Sequence, residues 1–361
     1  MKRVLSLLLL CIASLLTAAV PVVGQSELPR NIIFLIGDGM GAGQITAMKT
    51  VLGEMALDEF PVGGFSLTQS LNDFVTESAA GGTALSTGER TNNYRLAQRP
   101  DGTPLRTLLE VARAQGKAVG VISTSSVTHA TPASFLSHVA NRKMEFEIAE
   151  QIATSGADVV IGGGRKFFLP KEHGGGREDG RNLVDEMKNV GYAYADAHAS
   201  DLPDHGRLLW LLADDGLPAA GQRSYSQREL VEVAVDLLSR QEKGFVLMVE
   251  GSQIDWAAHD NDFTTLKEEL RDFDGAIAEA LSFAKQDGRT LIVVTADHET
   301  GGLALVGNAP DGTDAEARWI WGEHTANMVP VLAYGPSSAR FGGIHRNNEI
   351  GRMLQELLIP R

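Results

Sequence analysis

A few short stretches hold the residues able to do chemistry. Asp255 and His259 stand four apart, so on a helix they share a face and can hold one cation between a carboxylate and an imidazole. Asp297 and His298 are adjacent oxygen and nitrogen donors, Glu250 closes an apolar run, and His324 lies in Gly322-Glu323-His324-Thr325. Asp38 sits in Gly37-Asp38-Gly39-Met40-Gly41, where backbone freedom lets its carboxylate be shared between two cations; it reads equally as a cap on the next helix. Ser78 lies in Val75-Thr76-Glu77-Ser78-Ala79-Ala80-Gly81-Gly82-Thr83-Ala84. If Ser78 opens a helix, the neighbouring N–H groups and the positive helix end face an incoming anion, and small side chains let a phosphate approach. The alternative is a hydroxyl cap on an Ala-rich helix.

These residues need elements that bring them together. Residues 31–36 are apolar without alternation, which predicts a strand buried on both faces of a parallel sheet with Asp38 at its carboxyl end. Similar runs at 118–122, 158–161, 245–249, 290–296 and 329–334 precede or follow polar chemistry. A doubly wound sheet gathers strand ends of this kind along one edge. The expected fold class is therefore α/β, with a doubly wound, mostly parallel central sheet and helices on both faces.

A helix is expected over 103–115, with Thr103 as cap, Pro104 in its first turn and Gly116 ending it. Another begins at Ser226 with a capping box to Glu229. Thr131 precedes Pro132, which biases it to an extended backbone with its hydroxyl exposed and His129 pointing the same way. Arg142 reads as an anion clamp or as a helix-surface residue. Residues 170–222, rich in Gly, Asp and Arg, read as a loop-rich insertion whose His173, His198 and His205 are surface residues.

At 361 residues, 43% hydrophobic and 22% charged, the chain can bury a large core. A net charge of −14 in scattered acids excludes nucleic acid and anionic membranes as partners, and an anionic substrate then needs local cations or a buried Arg. Residues 1–24 have Lys2 and Arg3, an apolar run over 4–16 and small residues through Ala18, Ala19 and Gly24, the pattern of a secretory signal peptide. Residues 25–361 then form a single exported domain, periplasmic or extracellular and not inserted in a membrane. Cys11, the sole cysteine, falls in the signal, so stability rests on the core and on bound metals.

With these residues together, the chain resembles the alkaline phosphatase family. The resemblance rests on Gly37-Asp38-Gly39-Met40-Gly41, Thr76-Glu77-Ser78-Ala79-Ala80, Ala130-Thr131-Pro132, Val249-Glu250-Gly251, Asp255 with His259, Thr295-Ala296-Asp297-His298 and Glu323-His324-Thr325, and runs from Asn31 nearly to the C-terminus. It implies a phosphomonoesterase with two Zn2+ and one Mg2+ and broad acceptance of small phosphomonoesters. Asp255, His259 and His324 would hold the first zinc, and Asp38, Asp297, His298 and the Ser78 oxygen the second. Asp38, Thr131 and Glu250 would serve magnesium, while Arg142 would clamp the phosphate. Ser78 would form a covalent phosphoserine that water then hydrolyses. A homodimer is among the assemblies left open.

The donor chemistry agrees: His-carboxylate sets suit zinc, oxygen-only Thr131 and Glu250 suit magnesium, and the Arg142 fork suits phosphate oxygens. The chain departs from the pattern of many bacterial relatives at His129, where they carry Asp, and at Trp256, where they carry Lys. Both fall beside the phosphate and the third metal, which puts the identity of that ion in question. A phosphodiesterase, sulfatase or mutase on the same scaffold is the nearer alternative, although the Cys/Ser-x-Pro-x-Arg context of a sulfatase is absent after Ser78. An exported protein that only sequesters phosphate or metal is the more distant one.

Overall fold

The computed structural model describes residues 28–359 apart from 200 and 310–313, so the expected signal peptide lies outside the described residues. Strands β1 (Asn31–Gly37), β2 (Val62–Leu67), β3 (Ala118–Ser126), β4 (Val159–Gly163), β5 (Tyr192–Asp196), β6 (Arg207–Leu211), β7 (Phe245–Gly251) and β8 (Thr290–Thr295) belong to one large sheet. The short β9 (Glu299–Thr300) pairs with β12 (His324–Thr325), and β10 (Ala304–Asn308) pairs with β11 (Ala315–Arg318). β13 (Val329–Tyr334) and β14 (Gly343–Arg346) return to the main sheet, whose order is β14-β2-β13-β8-β1-β7-β3-β4-β6-β5. Among the described residues of that main sheet, only β13 runs against its neighbours.

The apolar runs form strands because both of their faces are covered. Ile32, Phe34 and Ile36 enter one core cluster, and Ile33 and Leu35 enter the other. Helices α1 (Ala42–Leu52), α2 (Ser78–Thr87), α3 (Leu108–Ala114), α4 (Ala130–Leu136), α5 (Glu145–Ser155), α6 (Arg165–Phe168), α7 (Leu183–Asn189), α8 (Gln227–Leu238), α9 (Gln253–His259) and α10 (Phe263–Asp287) connect the strands, and α11 (Asn347–Leu358) follows β14. The first face is covered by α2, α3, α4, α5, α7 and α11, and the second by α1, α8, α9 and α10. Phe34, wholly buried and edge-on to Phe135 of α4, ties sheet to helix; its truncation to Ala would cost about 3–5 kcal/mol.

Register sets the functional edge. Ile36 pairs with Glu250 on β7 and with Thr295 on β8, and Glu250 pairs in turn with Ser123 on β3. Asp38, Glu250 and Asp297 therefore emerge at one level of the sheet.

Three expectations change. The helix expected over 103–115 spans Leu108–Ala114, capped by Thr107 with a reciprocal Glu110 contact. Residues 103–105 instead hydrogen-bond to 97–99, and that pairing outweighs the helix-start signal of Pro104. Thr131 is helical rather than extended: His129 occupies the cap position of α4, and Pro132 falls in the first turn, where its missing N–H costs nothing. The segment 170–222 has long loops, but it also supplies α7, β5 and β6, and the two strands continue the parallel sheet as its far edge. His173, His198 and His205 are exposed there.

Candidate active site

Ser78 opens α2, yet it does not cap it. The carboxylate of Glu77 accepts from the N–H groups of Ala79 (3.0 Å) and Ala80 (2.9 Å), which takes up donors expected to face an anion. The seryl oxygen is left free of capping and lies 3.3 Å from His298 Nε2 and 3.5 Å from Asp38 Oδ2. The small residues after it serve packing as well. A Cβ on Gly81 would come within 2.9 Å of the Asp297 carbonyl, and one on Gly82 within 2.6 Å of Ser134 Oγ.

Around Ser78 the structure gathers three donor groups. Asp255, His259 and His324 form the first. His259 Nε2 stands 3.3 Å from Asp255 and 3.0 Å from His324 Nε2, while the Nδ1 atoms face the carbonyls of Gly322 (2.6 Å) and Thr76 (3.0 Å). An Nδ1–H donated to each carbonyl leaves both Nε2 lone pairs pointing at one another, an arrangement that calls for a cation between them. Pairing of β12 with β9 sets His324 opposite Thr300.

Asp38, Asp297 and His298 form the second group, with His298 Nε2 3.3 Å from each carboxylate. The His298 and His324 rings stack at 3.6 Å, so the two groups adjoin. Asp38, His129 and Glu250 form the third, and Asp38 is thus common to two groups. It makes no cap, because α1 starts after Gly41 without a side-chain cap bond.

Buried atoms with no hydrogen-bond partner point into these groups: Asp38 Oδ1, Asp297 Oδ2, Glu250 Oε1 and Thr131 Oγ1. Leaving such atoms unpaired is costly unless something electropositive meets them, and their chemistry fits divalent cations. The electrostatics agree. Burial, then the charges of Asp297, Asp255 and Glu250, push the Asp38 carboxyl well above its usual range, and Asp297 is pushed up to about 7 by burial, then by Asp255 and Glu250. Burial and the neighbouring His324 hold His298 well below an ordinary imidazole, so its ring nitrogen keeps its lone pair. His259 is raised to about 9 by its bond to Asp255, so without metal a proton takes the cation's place on its Nε2 and must leave when metal binds.

Arg142 lies in the turn before α5 and is clamped on both sides, with Nη1 2.8 Å from Glu77 and Nη2 2.9 Å from His129 Nε2. Glu77 also accepts from Tyr94 N–H at 2.7 Å. Burial, then the charge of Arg142, lowers His129 to about 3. Trp256 follows Asp255 on α9; its ring lies edge-on to His129 at 6.1 Å and fills the space over Gly216, where a Cβ would meet it at 2.5 Å.

Two matches settle the family. Residues 29–317 match the model of the alkaline phosphatase family. The chain belongs to the alkaline phosphatase family. It is 38% identical to alkaline phosphatase 4 of Bacillus subtilis (strain 168) over 91% of this chain and 88% of that protein. Identity to alkaline phosphatase 3 of the same strain is 34%, over 91% and 89%. The alkaline phosphatase of the Antarctic bacterium TAB5 has the same fold, with a TM-score of 0.86 at 36% identity over 92% of this chain and 99% of that one.

Residue reasoning did not assign Glu77, which places Arg142, nor Thr300, whose hydroxyl bonds Asp255 at 2.5 Å and lies 3.3 Å from His298 Nδ1. It also passed over Ser123, Ser125 and Ser252 beside Glu250. One signal was available: hydroxyl residues that continue a buried strand, as at 123–126, must find buried partners.

Proposed function

We propose that this chain hydrolyses small phosphate monoesters to an alcohol and inorganic phosphate, with Ser78 as nucleophile. The observation that supports this most is a buried seryl oxygen, free of capping, beside orphaned carboxylate and imidazole atoms of the second donor group. Asp255, His259 and His324 would hold one zinc, Asp38, Asp297, His298 and the Ser78 oxygen a second, and Asp38, Thr131 and Glu250 a magnesium. Bound at these groups, divalent cations supply charge to the attacking and leaving oxygens and favour the seryl alkoxide.

Ser78 Oγ attacks phosphorus, the ester P–O bond breaks and the alcohol leaves with a proton. Water then cleaves the Oγ–P bond, which releases phosphate and restores the hydroxyl. Arg142, held by Glu77, presents its fork to phosphate oxygens. His129 lies in the third group with its Nε2 accepting from Arg142, so its neutral ring turns an Nδ1–H rather than a lone pair toward the oxygens there. Variants of the TAB5 enzyme with a histidine replaced by Asp or Glu have Mg bound in the M3 site; those variants gain a carboxylate, whereas the third group here keeps His129, so magnesium here rests on the oxygens of Asp38, Thr131 and Glu250.

Export through a signal peptide at 1–24, a periplasmic or extracellular location and a single catalytic domain over 25–361 belong to the same reading. Among the described residues no helix is long and apolar enough to cross a membrane. The test is to assay an aryl phosphate, the matching diester and the sulfate ester before and after chelation. The monoester is expected to be the best substrate by a wide margin and to lose turnover without metal; a diester or sulfate preference would overturn the reading.

A further inference from the structure

Glu250 is surrounded by hydroxyl groups that the catalytic scheme does not use. Ser123 Oγ on β3 and Ser252 Oγ just past β7 each lie 2.5 Å from Glu250 Oε2, with Ser125 Oγ at 3.4 Å. All three serines are fully buried. Each hydroxyl has one proton to give, so direction matters. The Ser125 N–H is 3.0 Å from Ser123 Oγ and 3.1 Å from Ser252 Oγ, and Ser125 Oγ is 2.8 Å from Ser123 Oγ. Ser123 Oγ and Ser252 Oγ also lie 2.9 Å from each other, but each is closer to Oε2, a carboxylate oxygen that can only accept, so both turn their protons to it. Ser252 is itself held through its N–H by Thr124 Oγ1 at 2.9 Å. The opposite oxygen, Oε1, has no partner and belongs to the group with Asp38 and His129.

We propose that Ser123 and Ser252 are positioning residues for the third cation, pinning Oε2 of Glu250 with two donated hydrogen bonds so that Oε1 is aimed at the ion. The terminal torsion of a glutamate is broad and two-fold, so fixing one oxygen fixes the other, and losing both donors frees the carboxylate to turn. This inference rests on the reading that Glu250 holds that ion.

The test titrates magnesium chloride by calorimetry into full-length protein that retains zinc but has been dialysed free of magnesium, with zinc counted by atomic emission. Ser123→Ala and Ser252→Ala are each expected to weaken magnesium binding about tenfold or more with zinc content unchanged, while Ser125→Ala, equally buried but farther from Oε2, shifts it less than about twofold. If Ser123→Ala does not fold, Ser252→Ala decides alone. Unchanged magnesium affinity, an equal loss in Ser125→Ala, or joint loss of zinc would each overturn the positioning role. Glu250→Gln separates the two claims. Normal magnesium binding in that variant would sink the assignment of Glu250, whereas loss there with retention in Ser123→Ala and Ser252→Ala would sink only the role of the serines.

Discussion

Carboxylates are buried in two regions of this molecule, and the two are finished differently. On α10, Glu269 and Asp272 face Arg223, whose side chain is 2% exposed and bonds Glu269 at 2.6 Å and Asp272 at 2.7 Å. The N–H groups of Ala220 and Gln227 complete the carboxylates at 2.7 Å and 3.1 Å. At the carboxyl edge of β1, β7 and β8, Asp38, Glu250 and Asp297 are buried as deeply, yet each keeps an oxygen with no hydrogen-bond partner. The first region carries its own cation. On the proposed reading the second is completed by cations from outside, which would make the same residue type structural in one place and functional in the other.

Breaking the open region has the largest expected effect. Ser78→Ala removes the attacking oxygen and leaves the donor groups intact, so turnover of an aryl phosphate should fall on the order of a thousandfold or more. Zinc content should barely change; activity within tenfold of the parent would place the nucleophile elsewhere.

Breaking the closed region should cost stability and spare chemistry. Arg223→Met strands two buried carboxylates, an expected loss of about 3–5 kcal/mol in urea unfolding with the metal content retained. Metal loss in that variant would show that the two regions are not independent.

The contrast sharpens when metal is removed and pH is varied. The Asp297 carboxyl, pushed up to about 7, takes a proton more readily in the folded chain than in the unfolded one. Between about pH 4 and 7 the unfolded state has lost that proton while the folded state keeps it, so the stability of metal-free protein falls as pH rises, by at most about 1.4 kcal/mol per pH unit for one such group. His129 and His298, held neutral in the folded chain with or without metal, push the other way in both forms, so from pH 5 to pH 7 the melting temperature of chelated protein should fall relative to that of metal-loaded protein. Parallel curves would show that the acids are neutralised without cations.

The smallest effect concerns Trp256. A lysine there would place a cation near the phosphate product, worth on the order of 1 kcal/mol after screening, so Trp256→Lys should tighten phosphate inhibition roughly fivefold. The indole also packs on His129 and Gly216. Zinc and the inhibition constant should be measured together: unchanged inhibition at full zinc occupancy would refute the charge argument, and lost zinc would favour packing.

What could be read from sequence is what local pattern encodes. Asp38, Glu250 and Asp297 were visible because each ends an unbroken apolar run, and Asp255 with His259 because helical spacing needs no tertiary knowledge. Ser226 and Glu229 likewise form the expected capping box. Thr103 and Pro104 misled because a long-range strand-like pairing overrode a local start signal, and Thr131 because the bias of a residue before proline yields to a helix capped one turn earlier. The strands at 192–196 and 207–211 were hidden by their mixed polarity and by the long loops around them. Glu77, Thr300 and the serines around Glu250 act on partners far away in the chain, which no spacing rule reports.

The central claim is that Ser78 and the open donor groups act together. It is tested most directly by mixing the protein with a phosphate monoester labelled on phosphorus, quenching rapidly in acid and mapping the labelled peptide. The account predicts label on the peptide that contains Ser78 in metal-loaded protein, and none after chelation or in Ser78→Ala. Label on another residue, or label that persists after verified loss of metal, would contradict it.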